Sequence, residues 1–185
     1  MQVRVFLALE LPSALKKELE TVVARYGHRT EKGANWVKPE NMHLTLLFIG
    51  EMAENRLAEI DEVLQRLLRG FPPFKFSAAG LELFPANNPR LLWLKLDKLN
   101  DDIFMLHRRI KRELSSLELE FDHKALRLHI TLARLKSALT PELERELMQY
   151  DIKNTSLDYN SICLFRSVLS PSGPSYSIIE RYNLN

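Results

Sequence analysis

Met42-His43-Leu44-Thr45-Leu46-Leu47-Phe48-Ile49 is the stretch on which the reading of this chain turns, because its motif returns as His129-Ile130-Thr131-Leu132. Chance would supply roughly 0.03 copies of His-apolar-Thr-apolar in a chain of this length and composition, so its repetition demands an explanation. Side chains on a strand alternate faces, which sets His43 and Thr45 on one side and Leu44 and Leu46 on the other. Each copy is then a strand with a polar face and an apolar back. Two such strands turned toward each other gather two imidazoles and two hydroxyls around one small volume.

The surrounding chain supplies a scaffold of mixed helices and strands. Val3 to Leu9 is almost continuously apolar, as in a buried strand, and Pro12 follows where a helix can begin. Leu15, Leu19, Val22, Val23 and Tyr26 then share one helical face, with Gly27 as the stop. The same spacing recurs at Leu57, Ile60, Leu64, Leu67 and Leu68 before Gly70, and at Ile103, Leu106, Ile110, Leu114 and Leu117. Thr140 before Pro141 reads as an N-cap opening a short fourth helix through Leu143 and Leu147. Strands are expected at Met42 to Ile49, Phe74 to Phe84, Leu91 to Leu96, Arg127 to Ala133, Ser161 to Val168 and Tyr176 to Tyr182. Ser170-Pro171-Ser172-Gly173 has the residue types of a type I turn joining the last two as a hairpin.

The fold class is α+β. The order of elements around the first motif resembles that around the second, which predicts two similar antiparallel lobes with flanking helices and a cleft between them. No linker rich in Gly or Ser divides them. Residues 1–185 therefore read as a single domain of two interleaved lobes, with the motifs at 43–46 and 129–132.

Composition narrows the class further. Of 185 residues, 45% are hydrophobic, which is ordinary for a soluble globular protein and excludes a disordered chain. The single cysteine, Cys163, lies in an apolar run and reads as a buried, inert thiol, compatible with a reducing cytoplasm. No stretch approaches the roughly 20 apolar residues of a membrane-spanning helix, and Met1-Gln2-Val3-Arg4 leads into a strand without a signal-peptide layout. The expected location is cytoplasmic, without membrane association. A net charge of +2 falls short of a dedicated nucleic-acid binder, yet permits local binding of a phosphorylated group.

Two histidines with two threonines suit displacement at phosphorus. A base must take a proton from the nucleophile and an acid must protonate the departing oxygen on the opposite side. An imidazole pKa near 6.5 lets one residue type do both at neutral pH. The threonine hydroxyls can donate to the non-bridging oxygens. Imidazoles within hydrogen-bond reach of the two apical oxygens stand roughly 6 to 9 Å apart. Neither motif has the His-x-x-x-His or nearby carboxylate spacing of zinc hydrolases, so no metal and no cofactor is expected.

The segments Trp36-Val37-Lys38-Pro39-Glu40-Asn41-Met42-His43-Leu44-Thr45-Leu46, Phe48-Ile49-Gly50-Glu51 and His129-Ile130-Thr131-Leu132-Ala133-Arg134 resemble the 2H phosphoesterase superfamily. Within it, the RNA 2′,3′-cyclic phosphodiesterase family, also called 2′-5′ RNA ligase or LigT-like, is the nearest pattern. Arg4 to Pro12, Pro89 to Leu94 and Ser167 to Tyr176 extend the resemblance over almost the whole chain. It implies a bilobal LigT-like fold and metal-free hydrolysis of RNA 2′,3′-cyclic phosphate ends to 2′-phosphates. By the same resemblance, His43 is the proton donor and His129 the proton acceptor, while Thr45 and Thr131 bind phosphate. RNA with a cyclic end, tRNA fragments among the candidates, is the implied partner, and a monomer is expected. One departure stands out: Leu128 occupies the place where the family usually has Pro, which predicts a local change in strand pairing. Joining of RNA halves by 2′-5′ linkage, a non-catalytic RNA-end binding module and a hydrolase of small cyclic nucleotides remain alternatives.

Other residues divide by parity. Arg127 shares the parity of His129, and Tyr176 follows the turn, so both are candidates for substrate contact. Arg134 has the opposite parity and is expected to point away unless the strand bulges. Phe48 shares parity with Leu44 and Leu46, so it and Trp93 read as core, with base stacking as the competing reading for both and for Trp36. His28 reads as solvated and His107 as a packing residue, while His123 stands in a basic loop that can meet RNA.

Overall fold

Nine strands and four helices alternate along the chain in a computed structural model that describes residues 1–30, 32–171 and 173–185. The strands are β1 (Gln2–Glu10), β2 (Ala34–Trp36), β3 (His43–Ala53), β4 (Phe74–Phe84), β5 (Leu91–Lys98), β6 (His129–Leu135), β7 (Ser156–Tyr159), β8 (Ser161–Ser170) and β9 (Gly173–Asn183). The helices are α1 (Ser13–Tyr26), α2 (Leu57–Leu68), α3 (Asp102–Ser116) and α4 (Pro141–Met148). The expected helical faces are buried except at Val23, Leu57 and Leu117, which are half-buried, while Val63 joins the buried face of α2 and His107 that of α3. Thr140 caps α4 by accepting a hydrogen bond from the Leu143 N–H. In the last hairpin, Ser170 pairs with Gly173, but Ser172 of the expected turn lies outside the described residues.

Sheet topology gives the two lobes their form. The strand order is β7-β4-β5-β6-β3-β1-β8-β9, with β2 joined separately to β6. One half is therefore β3-β1-β8-β9 and the other β6-β5-β4-β7, related by an approximate twofold axis that exchanges the motif strands β3 and β6. The halves are interleaved, since the C-terminal hairpin β8–β9 returns to the N-terminal half. Helices cross over in the same way: α2 packs on α3, while the turn after α1 reaches α4 through the Arg29–Glu146 ion pair.

β3 and β6 meet in a single antiparallel pair, Leu44 opposite Ile130. Both side chains are fully buried, in the main core beneath the sheet. Removing Leu44 to Ala at such a site costs about 2 to 5 kcal/mol, lost apolar transfer plus cavity. To either side of this bridge other segments take over. Val37 N–H donates to Leu132, and Asp122 N–H donates to the Phe48 carbonyl, so the motif strands part on both sides of their shared pair. The opposite sheet face carries a second, smaller cluster of Phe6, Ala8, Cys163 and Phe165, with Tyr176 against it.

Candidate active site

Antiparallel pairing of Leu44 with Ile130 fixes the neighbours of the histidines. His43 comes beside Thr131 and His129 beside Thr45, all four on the face opposite the buried Leu44 and Ile130. His43 and His129 are diagonal neighbours across this pair, close enough for the charge of His129 to lower the His43 pKa. The structure thus assembles all four motif residues, two by two, about the pseudo-twofold axis. Neither threonine hydroxyl has a protein hydrogen-bond partner among the described residues, so both remain available to a ligand.

Both rings are held in the same way. His43 Nδ1 lies 2.7 Å from the Asn41 carbonyl oxygen, and His129 Nδ1 lies 2.9 Å from that of Arg127. A carbonyl only accepts, so each Nδ1 carries the proton and donates. Nε2 is left in each ring as the nitrogen without a protein partner among the described residues. Asn41 is itself anchored, its side-chain amide donating to the Pro174 carbonyl of the β8–β9 hairpin at 2.9 Å.

The walls differ. His43 sits among Phe6 (ring centroids 4.9 Å apart), Tyr176 (5.3 Å) and Phe165 (6.1 Å). Burial lowers its pKa to about 4, against the raising effect of the Asn41 carbonyl, and the charge of His129 lowers it further. His129 rests on Trp93, centroids 4.4 Å apart, and Phe84 stacks on Trp93 at 4.2 Å. Its pKa is also lowered, first by burial and then by the Arg127 charge, with the Arg127 carbonyl opposing. Both shifts favour the neutral imidazole near pH 7.

Two bulges decide what else reaches this face. The β1–β3 register passes from Leu7–Leu47 to Ala8–Thr45 and skips Leu46; the β5–β6 register passes from Leu92–Ala133 to Trp93–Thr131 and skips Leu132. The extra residue is the fourth of the motif in each case. It reverses the parity of the residues after it, up to Ile49 in β3, where a second bulge restores the original alternation, and to the end of β6. Phe48, expected in the core, is instead 45% exposed, with its ring 5.6 Å from Phe6. Arg134, expected to point away, is exposed on the motif face and its charge reaches the Tyr176 phenol, as does that of Arg4. Phe48 and Arg134 each stand five residues after their histidine, at equivalent places of the two halves.

Tyr176 lies edge-on to His43, and exposed Arg127 lays its guanidinium 4.8 Å from the Phe84 ring centroid. Trp93 is both core, at 6% exposure, and the floor under His129. Trp36 is pinned by its indole N–H donating to Thr30, and His123 packs on Phe121 in an exposed loop. Leu128 continues the pairing before β6, its carbonyl accepting from the Leu96 N–H. Cys163 is buried, with its pKa pushed up to about 12 by burial, and is inert. Arg4, Arg127 and Arg134 form no ion pair among the described residues, whereas Lys95, opposite His129, is paired with Glu82 at 3.2 Å. Among the described residues no group of three His, Cys, Asp or Glu side chains converges to hold a metal ion, and no helix is long and apolar enough to cross a membrane.

Phe84, Phe6, Phe165, Lys95 and Asn41 were not singled out by sequence. The bulges do have a signal: Leu46-Leu47 and Leu132-Ala133 are paired apolar residues where strict alternation allows one. The backbone carbonyls that fix the tautomers have none.

Known proteins resemble this chain in both sequence and fold. A family model described as LigT-like phosphoesterase matches residues 9–93 and 95–176. A Thermotoga maritima protein named RNA 2′,3′-cyclic phosphodiesterase is 33% identical over 177 residues, covering 95% of this chain and 92% of that one. A Methanothermobacter thermautotrophicus protein of the same name is 32% identical over 199 residues, covering all of both chains. Among solved structures, a Thermus thermophilus protein superposes with a TM-score of 0.81 at 28% identity, covering 98% of this chain and 97% of that one. Escherichia coli LigT complexed with 3′-AMP shares the fold, with a TM-score of 0.81 at 20% identity over 100% and 99% of the two chains. The match spans both motifs and both halves of the sheet, and on that ground the chain belongs to the LigT-like phosphoesterase family.

Proposed function

We propose that this protein hydrolyses the 2′,3′-cyclic phosphodiester end of RNA to a 2′-phosphomonoester, with His43 and His129 as acid and base. The observation that carries the reading is the pseudo-twofold set of two Nδ1-protonated imidazoles and two unpartnered threonine hydroxyls around one point. The names of the relatives above favour the same substrate.

In this reading the cyclic phosphate lies between the rings. His129 Nε2 takes a proton from water as its oxygen bonds to phosphorus; the bond from phosphorus to the 3′ oxygen breaks, and His43 Nε2 gives that oxygen its proton. Thr45 and Thr131 hold the non-bridging oxygens, whose negative charge persists throughout. One imidazole must therefore be protonated at the start, whereas both shifts favour the neutral form. The anionic substrate supplies the missing bias: a negative charge within about 4 to 6 Å favours the imidazolium. Substrate binding is thus coupled to uptake of one proton, taken by His43 in this assignment. The uncompensated guanidiniums of Arg4, Arg127 and Arg134 favour an anionic polymer over a neutral one.

The test is an RNA oligonucleotide ending in a 2′,3′-cyclic phosphate, incubated with purified protein in excess chelator. A 2′-phosphate product, with kcat/KM about 10² to 10⁴-fold lower in His43→Ala and in His129→Ala, is expected. A 3′-phosphate product, or full activity in either variant, overturns the proposal.

A further inference from the structure

The lobe carrying His129 ends in a stack that the hydrolytic step does not use. Trp93 lies between the His129 ring and the Phe84 ring, which is parallel to it within 18°. Trp93 is almost fully enclosed, whereas Phe84 is half-buried, with its outer face turned away from Trp93. On that face lies the Arg127 guanidinium, exposed and without an ion pair among the described residues. A guanidinium over a half-exposed ring occupies the place of a stacked base.

The surroundings fit a polyanion rather than a protein side chain. Glu82, the nearest carboxylate of this wall, is taken up by the Trp93 indole N–H at 3.2 Å and by Lys95 at 3.2 Å, leaving Arg127 uncompensated. Arg127 stands two residues before His129, about 6.6 Å along an extended chain, a step comparable to that between adjacent phosphates of a single strand. The loop from Pro85 to Arg90 closes beside Phe84 through the Arg90 N–H and the Phe84 carbonyl, and it adds no acidic residue.

We propose that Phe84 and Arg127 form a second nucleotide subsite, which takes the residue preceding the cyclic end of the RNA. Its base stacks on Phe84 where Arg127 now lies, and the displaced guanidinium pairs with the phosphate joining the two nucleotides. This rests on the reading of the protein as a cyclic phosphodiesterase. It adds a preference for a chain of at least two nucleotides.

The experiment compares kcat/KM for a nucleoside 2′,3′-cyclic phosphate with that for a dinucleotide carrying the same cyclic end. Two further dinucleotides are measured, one abasic at the upstream position and one with a methylphosphonate joining the two nucleosides. The wild type is expected to favour the natural dinucleotide about 5- to 150-fold, the range of one base stack. Removing the base is expected to erase most of that advantage, and neutralising the linkage is expected to erase the part that falls with salt. In Phe84→Ala and Arg127→Gln the ratio of dinucleotide to mononucleotide should collapse toward 1, and Phe84→Trp should restore it. Equal use of both substrates by an active wild type overturns the subsite while leaving the hydrolytic reading intact. Hydrolysis of neither overturns both. A Phe84→Ala protein that loses the same factor on both substrates assigns Phe84 to support of Trp93 alone and overturns the subsite; the abasic dinucleotide decides the matter if that variant fails to fold.

Discussion

His43 and His129 occupy equivalent places on two strands related by the same axis, each pinned through Nδ1 to the carbonyl two residues before it. Their surroundings are nevertheless unlike. Around His43 the wall is aromatic and closed, built from Phe6, Phe165 and Tyr176. Around His129 it is one stacked column with a cation at its outer end. The backbone repeat supplies two equivalent imidazole positions, and the side chains beyond it make them unequal. In the proposed hydrolysis the two sides have different tasks, one facing the leaving 3′ oxygen and the other water.

The sharpest way to break the comparison is to remove each histidine in turn. If the two act as one unit, His43→Ala, His129→Ala and the double variant fall to a similar residual rate, each about 10² to 10⁴-fold down in kcat/KM. Losses that multiply in the double variant show that the rings act independently. The threonines follow. Thr45→Val and Thr131→Val each remove one donor to the developing charge, with an expected loss of about 10²-fold in kcat, and stability unchanged by thermal melting. A loss confined to one of them shows that only one non-bridging oxygen is held.

The titration distinguishes the two environments next. Both imidazole pKa values in the free enzyme lie below the usual 6.5, that of His43 at about 4. Because kcat/KM reports the free enzyme and requires one protonated ring, it should fall with rising pH above the imidazole range, about tenfold per pH unit. The alkaline limb of kcat, which reports the substrate complex, should lie at higher pH. A kcat/KM profile flat to pH 8 contradicts the lowered value of the ring that acts as the acid.

Smaller still are the effects expected at the two residues that the bulges expose. Arg134→Gln should raise KM about tenfold and flatten its salt dependence, as loss of a charged contact to phosphate does. Phe48→Ala should raise KM by a similar factor with no change in salt dependence, as loss of an apolar or stacking surface does. The same salt response in both variants removes the distinction between the two ends of the site.

Legibility follows from the length over which a pattern repeats. Helical faces such as Ile103, Leu106, Ile110 and Leu114 recur over several turns, and their burial was readable. The motif strands were readable because parity over three residues suffices to place His and Thr together. β2 and β7, of 3 and 4 residues, are too short to show a period and were missed. A single inserted residue also defeats parity, which is why Phe48 and Arg134 were placed on the wrong face. The exchange of the β8–β9 hairpin into the first half depends on pairing between residues more than 150 apart, such as Phe6 with Phe165. No local signal records that.

The mildest test concerns how the His43 side is held. Asn41 joins two elements: its carbonyl accepts from His43 Nδ1 and its side chain donates to Pro174, two residues before Tyr176. Asn41→Asp keeps the size and the backbone carbonyl but removes the donor to Pro174. If the hairpin positions the aromatic wall against His43, kcat should fall about two- to tenfold, the worth of one hydrogen bond, with KM nearly unchanged. The alkaline limb of kcat should also move up in pH, because a looser wall desolvates the His43 imidazolium less and the new carboxylate favours it. No comparable shift is expected on the His129 side, where the ring rests on Trp93. A rise in KM alone would make Asn41 a substrate contact instead, and the two halves would then be held alike.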